Sequence, residues 1–154
     1  MRNLKTIKMD KITLLWNFYS EQRIQGRSFD SQRTSIGNFV ITVSGALLVL
    51  SVNSDFDKKI IPFTVFIMII SFYGFWATIK LFERQEYHYK RARNVLKKIE
   101  EFEGEEIFHQ IINQSSLEHY KKRGFSSKLP AYIVWLILHS LIFIFGLITL
   151  LIVL

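Results

Sequence analysis

The sequence predicts an all-α membrane protein: three transmembrane helices, an N-terminal amphipathic helix and a cytoplasmic helical extension or hairpin. The chain of 154 residues carries 20 basic and 13 acidic side chains, yet residues 36–52, 60–79 and 131–154 contain none of them. Continuous apolar runs of this length are typical of membrane-spanning helices, whereas the strands of a β-barrel alternate polar and apolar residues. These observations exclude a water-soluble enzyme with a single core and a membrane β-barrel.

The predicted spans are residues 36–53, 60–79 and 129–154, and residues 54–59 form a loop between the first two. At 1.5 Å per helical residue, the charge-free runs are about 26, 30 and 36 Å long, against a hydrocarbon core of about 30 Å. The first span is the shortest and contains several small or weakly polar residues, which suit packing against other helices. We therefore expect all three to cross the membrane.

Residues 1–35 are predicted to form a basic, amphipathic helix. Asp10 is a suitable N-cap for this helix, and Gly26 is its only obvious break. A helix of this kind lies on the membrane surface with its aromatic rings at the level of the headgroups. Its apolar residues recur at positions i, i+3, i+4 and i+7: Ile12, Leu15, Trp16 and Tyr19.

Residues 80–128 are predicted to be a helical segment outside the membrane. The second span continues as a helix to Glu103, because neither Pro nor Gly interrupts it. Gly104 then breaks the helix, a shorter helix includes Leu117, and residues 124–127 form a turn back towards the membrane. An apolar stripe follows the first of these helices: Ala92, Val95, Leu96, Ile99 and Phe102.

The distribution of Lys and Arg predicts the orientation in the membrane. Residues 1–35 contain seven of these residues and residues 80–130 contain eleven, whereas the loop between the first two spans contains two. Positively charged segments stay on the cytoplasmic side. The N-terminus and the segment 80–128 are therefore expected inside, with the loop 54–59 and the C-terminus outside.

Charge is also separated along the cytoplasmic segment. Residues 80–98 carry seven basic and two acidic groups, whereas residues 99–120 carry six acidic groups and no Lys or Arg. The basic part can pair with the acidic part in a hairpin, contact anionic lipid headgroups, or bind an anionic ligand such as a nucleotide or oligonucleotide. Tyr87, His88 and Tyr89 place stacking groups among the charges, as binding of a single strand requires. The candidate ligand-binding residues are Lys90, Arg91, Arg93, Lys97 and Lys98.

No residue pattern in the sequence indicates catalysis. There is no P-loop, no dinucleotide-binding glycine pattern, no HExxH and no GxSxG. The chain has no cysteine, and His88, His109 and His119 lack the spacing of metal ligands. We therefore expect no enzymatic activity, no cofactor and no metal site.

Four polar residues inside the predicted spans are candidates for lining an aqueous path. Thr64, Ser71 and Thr78 are seven residues apart and share one face of the second span, and His139 lies within the third. A structural role is one alternative, since hydroxyls bond to their own helix and an imidazole can bond to a neighbouring one. The other is a path along the face of the first span that contains Asn38, Thr42 and Gly45. Three spans cannot comfortably enclose a water-filled pore, so conduction requires a symmetric homo-oligomer.

The stretch from Tyr19 to Phe39 has the sequence YSEQRIQGRSFDSQRTSIGNF. It resembles the N-terminal sequence of small membrane effectors of bacterial antiphage systems, including the SLATT-like group. The layout of two close spans, a charged segment and a last span is similar to that of the membrane effectors of Hailong-type systems. The typical SLATT-like arrangement has two spans, and the third span of this chain departs from it.

This resemblance implies a homo-oligomeric channel in the inner membrane, with a tetramer as the first expectation. It also implies a partner nucleotidyltransferase that makes DNA oligomers. These hold the channel closed, and their loss opens it, depolarises the membrane and stops the growth of the infected cell. The expected function is therefore a ligand-gated, pore-forming effector. The alternatives are a non-conducting accessory subunit of a membrane complex and a ligand-independent, holin-like toxin.

The first prediction concerns topology. A reporter fused after Leu154 should behave as periplasmic and one inserted near Gly104 as cytoplasmic, because Lys and Arg are concentrated on one side of the predicted spans. Paired phosphatase and fluorescent-protein fusions measure this in whole cells. The opposite pattern would contradict the predicted orientation and the expectation of a cytoplasmic ligand together.

Overall fold

The computed structural model describes residues 4–53, 58–104, 107–122 and 129–154. Every regular element in these ranges is helical, so the predicted all-α fold class is confirmed for the described part of the chain. A short 3-10 turn at Lys58–Ile60 precedes the second of the four α-helices in these ranges. The helices are α1 (Leu4–Asn53), α2 (Ile61–Glu103), α3 (Ile107–Lys122) and α4 (Ala131–Val153).

Three of these helices, α1, α2 and α4, are long and apolar enough to cross a membrane. α1 includes the predicted span 36–53, α2 includes residues 61–79 of the second, and α4 covers residues 131–153 of the third. α4 begins directly after Pro130, whose backbone is extended (φ −61°, ψ 136°), and the missing N–H of proline is harmless at a helix start. The prediction of three membrane-length helices is therefore confirmed.

α1 is longer than the sequence predicted. The segment predicted to be amphipathic and the first predicted span lie in one uninterrupted helix of 50 residues, so Asp10 lies inside the helix and is not its N-cap. Gly26 lies inside it as well and does not interrupt it. The ring of Tyr89 packs directly over Gly26, and this contact, rather than a chain break, accounts for glycine at this position.

The end of α2 agrees with the sequence. The helix continues without interruption to Glu103, and Gly104 follows in the left-handed conformation (φ 80°), which glycine adopts without steric cost. The N–H of Gly104 donates to the carbonyl oxygen of Glu100 at 2.8 Å. α3 then forms as the predicted shorter helix. The predicted turn at 124–127 lies outside the described residues, as do residues 54–57 of the predicted loop.

The chain divides into two compact units. The charged unit consists of the described parts of residues 1–29 and 83–129, and the apolar unit consists of those of residues 30–82 and 130–154. α1 and α2 each contribute residues to both units, whereas α3 belongs to the charged unit and α4 to the apolar unit.

In the apolar unit, α2 and α4 pack antiparallel, with contacts about every seven residues along each helix. Three pairs mark this register: Phe82 with Tyr132, Gly74 with His139, and Ile67 with Gly146. The buried side of α2 advances in alternating steps of four and three residues, the repeat of left-handed helix packing. These residues, together with Ile60 at the end of the preceding 3-10 turn, are called here the heptad seam of α2: Ile60, Thr64, Ile67, Ser71, Gly74 and Thr78.

Glycine lets large side chains approach α1. A methyl group added at Gly37 would overlap the indole of Trp135 in α4. Gly45, eight residues further along α1, has no atom within 4 Å of a Cβ built on it. The same substitution at the two positions therefore distinguishes a packing glycine from an open one.

Gly37→Ala should lower the stability of the protein by about 1–3 kcal/mol, because an extra methyl in a filled contact forces the neighbouring ring to move. Gly45→Ala should leave stability unchanged or slightly higher, since alanine favours the helix. Thermal unfolding of both variants in the same detergent, followed by circular dichroism, measures the difference. Equal midpoints would contradict the contact between Gly37 and Trp135.

Candidate functional site

The predicted ligand-binding residues lie on α2 within the charged unit. Four of them, Lys90, Arg93, Lys97 and Lys98, are exposed, and Arg91 is half-buried. The opposite side of α2 carries the predicted apolar stripe, and most of the stripe is buried. Phe102, at the end of the stripe, is 41% exposed. The buried members of the stripe are Ala92, Val95, Leu96 and Ile99.

Acidic side chains nearby neutralise part of the positive charge of this surface. The guanidinium of Arg93 is 3.7 Å from the carboxylate of Glu86, and Lys98 donates a hydrogen bond to Glu101 at 2.5 Å. That hydrogen bond lowers the pKa of the Glu101 carboxyl, and the positive charge of Lys97 acts in the same direction. Glu101 is therefore ionised at neutral pH and compensates Lys98.

Arg91 has aromatic neighbours. Its guanidinium carbon lies 5.1 Å from the ring centroid of Phe18 in α1 and 5.4 Å from that of Tyr87 in α2. A guanidinium within about 6 Å of a ring centroid is attracted by the ring's quadrupole. Arg91 therefore stabilises the contact between α1 and α2, in addition to any role in binding.

α1 adds side chains to this surface that sequence reasoning missed. The guanidinium carbon of Arg23 lies 4.8 Å from the ring centroid of Tyr89. Gln22, which is 4% exposed, places its amide oxygen 2.8 Å from Nδ1 of His88. No spacing rule could have found these contacts, because they join positions 66 residues apart. The basic surface consequently extends from α2 onto α1.

No family model, curated protein or solved structure matches this chain. The resemblance to small membrane effectors therefore stays a prediction from the sequence. The possible chemistry of the protein follows from the geometry of its side chains alone.

The charged unit offers groups that suit an anion. Among the described residues, no cluster of three or more His, Asp or Glu side chains could hold a metal ion. The exposed lysines and arginines instead present N–H donors, which bind phosphate oxygens through charge-assisted hydrogen bonds. The ring of Tyr87, which is 57% exposed, provides a face on which a planar base can stack, whereas the ring of Tyr89 is packed against Gly26 and Arg23.

The hydroxyls predicted to line a pore are buried inside a single chain. Thr64, Ser71 and Thr78 are each no more than 1% exposed. Thr64 donates to the carbonyl oxygen of Ile60 at 3.1 Å, and Ser71 donates to that of Ile67 at 2.7 Å. In this conformation they cannot contact water around an axis shared by several copies. Their pore-lining role stays a prediction that requires a rearrangement of α2 and α4.

His139 lies in the same buried layer. It is fully buried, its ring packs against Gly74, and it stacks on Trp135 with centroids 6.4 Å apart. Together with Ser71 and Ser140 it lines a cavity of about 310 Å³ whose other walls are phenylalanine and isoleucine side chains. Neither ring nitrogen has a hydrogen-bond partner in the described part of the chain. The structure thus brings His139 and Ser71 together, but within one chain.

Thr78→Val should raise the stability of the protein by about 1 kcal/mol. The Thr78 hydroxyl is buried without a hydrogen-bond partner among the described residues, and replacing such a group with an apolar one of the same shape removes its desolvation cost. Thr64→Val is the matched control, because it removes a hydroxyl that is hydrogen-bonded. Thermal unfolding in detergent compares the two variants. If neither gains stability, the Thr78 hydroxyl is hydrated, as the pore-lining prediction requires.

Proposed function

We propose that this protein is a ligand-gated, homo-oligomeric pore in the inner membrane and an effector of antiphage defence. An anionic ligand, a single-stranded DNA oligomer or a nucleotide, holds the pore closed. Loss of the ligand opens it and depolarises the membrane. The proposal includes a tetramer and a partner nucleotidyltransferase that makes the ligand.

One observation carries this proposal. α2 is a single helix, Ile61–Glu103, in which an apolar stretch of membrane-spanning length is followed by the exposed residues Lys90, Arg93 and Lys97. A ligand on the basic residues therefore binds a helix that also crosses the membrane. A ligand shifts the equilibrium between the open and closed states when its affinity for the two differs. Binding to α2 can therefore favour the closed state of the pore.

The spacing of the exposed lysines supports a phosphate-bearing ligand. Lys90 and Lys97 are seven residues apart on one side of α2, which is about 10 Å along the helix axis. An extended strand with repeated phosphates can contact both, whereas a single small anion contacts one. Tyr87, which is 57% exposed, precedes Lys90 by three residues and is available to stack on a base. A homo-oligomer repeats this surface around its axis.

The proposal places the charged unit in the cytoplasm, in line with the Lys and Arg distribution. Trp16 packs edge-on against Phe108 of α3, with ring centroids 5.4 Å apart, so α3 covers part of the apolar side of α1. Met9 and Leu14 are more than 60% exposed and are available to the apolar boundary of the membrane. The amphipathic part of α1 then contacts both α3 and lipid.

A second function is favoured by one feature of α3. Ile111, Ile112 and Leu117 are exposed outside the membrane-length stretches, where apolar groups commonly mark a protein contact. An accessory subunit of a membrane complex would use such a surface. Absence of current from the purified protein in planar bilayers would favour this function, and a current insensitive to oligonucleotide would favour a holin-like toxin.

The ligand site is tested by reversing charge at Lys90 and Lys97. The double variant Lys90→Glu/Lys97→Glu should bind a fluorescent single-stranded DNA oligomer at least about tenfold more weakly, because phosphate contacts are replaced by repulsion. Expression of this variant should be toxic without infection, since the pore has lost its inhibitor. Fluorescence anisotropy at several salt concentrations measures binding, and the slope against salt should become shallower.

Lys58→Glu/Lys59→Glu is the matched control, because it changes the net charge equally at exposed positions of the apolar unit. Its affinity for the oligomer should equal that of the unchanged protein. Equal weakening in both variants would mean that net charge alone attracts the oligomer. Loss of toxicity instead of its appearance would mean that the ligand activates the pore.

A further inference from the structure

The outward sides of the three membrane-length helices differ in polarity. In the apolar unit, the exposed residues of α2 include Phe66, Ile69 and Trp76, and those of α4 include Leu141 and Ile148. Both sides are apolar or aromatic and suit lipid or an apolar neighbour. α1 differs, because polar and small side chains occupy part of its exposed side.

This polar row of α1 has the spacing of a single helix face. It advances in steps of four and three residues, so its members lie one above the other on the side away from the buried residues Val40 and Ser44. Val49 follows on the same side and ends the polar part. The polar row of α1 consists of Ser31, Ser35, Asn38, Thr42 and Gly45, all of them exposed.

Asn38 and Thr42 are the critical members of the row. Ser35 donates to the carbonyl oxygen of Ser31 at 3.1 Å and is satisfied within its own helix. By contrast, the side chains of Asn38 and Thr42 have no hydrogen bond within the described part of the chain. Both lie in the charge-free stretch of α1, about 3 and 9 Å along the axis from Ile36, where lipid offers no partner.

We propose that the polar row of α1, and not the heptad seam of α2, lines the water-filled path of the oligomer. In a closed ring of copies one side of each subunit faces the axis. The polar side is stabilised by facing water, because the carboxamide of Asn38 would have unpaired hydrogen-bond donors and acceptors in hydrocarbon. The apolar outward sides of α2 and α4 then face lipid or neighbouring copies. This inference rests on the proposed pore function and names the face that conducts.

The absence of cysteine from the chain permits a direct test with single cysteines in the full-length protein. The variants are Asn38→Cys and Thr42→Cys in the polar row. Phe39→Cys is the control for an exposed neighbour on a different side of α1, and Ser71→Cys is the control for the heptad seam. A membrane-impermeant cationic methanethiosulfonate is applied to planar bilayers that contain each variant, and the current and the rate of modification are measured.

Asn38→Cys and Thr42→Cys should react at least about tenfold faster than the controls, since the reactive thiolate forms in water and not in lipid. Their current should fall as a charged group enters the path. Fast reaction at Ser71→Cys with no reaction in the polar row would overturn the inference and restore the heptad seam as the lining. Spontaneous disulfide formation between copies of Asn38→Cys, without access for the reagent, would also overturn it, because the row would then be a dry contact.

The unmodified protein separates this inference from the function on which it rests. If it carries no current, the proposed pore function fails, and the role of the row fails with it. If it conducts while Asn38→Cys and Thr42→Cys stay unreactive and their currents unchanged, the inference alone is overturned.

Discussion

The close approach of α4 to the heptad seam of α2 is the contact on which the rest of the apolar unit depends. Within a membrane, lipid tails are as apolar as leucine, so helices associate through tight van der Waals packing rather than through the hydrophobic effect. Gly74 admits the ring of His139, and Gly146 packs against Met68 and Ile67. A Cβ at Gly74 would lie 2.6 Å from that ring, so a larger residue would force the helices apart.

This packing determines which polar residues of the membrane-length helices are buried and which are exposed. Thr64, Ser71 and Thr78 occupy seam positions because small side chains let helices approach closely. The hydroxyls of Thr64 and Ser71 also donate to carbonyl oxygens of their own helix turn. Once that side of α2 is covered, the exposed side of α2 in the apolar unit is mainly apolar, and the polar exposed side belongs to α1. The polarity of Asn38 and Thr42 then becomes significant, since these residues remain uncovered.

The charged unit uses its basic residues in two ways. Arg91 and Arg23 lie over aromatic rings of neighbouring residues and connect α1 with α2, whereas Lys90 and Lys97 are exposed on the surface. A guanidinium serves the first purpose well because it is planar and weakly hydrated, and an ammonium on a flexible chain serves as a point charge for phosphate. The proposed attraction of an anion and the stability of the helix pair therefore depend on different residues.

The sequence by itself determined the helical class, the three membrane-length stretches, the continuation of α2 to Glu103 and the break at Gly104. These depend on local properties: continuous apolarity, the absence of Pro and Gly, and the freedom of glycine at positive φ. It could not distinguish a pore face from a packing face, because a seven-residue repeat of hydroxyls fits both. Only the tertiary structure showed that Ser71 is buried against α4 within one chain and that Arg23 lies beside Tyr89, 66 residues away. Contacts between distant segments depend on how helices pack and leave no spacing in the sequence.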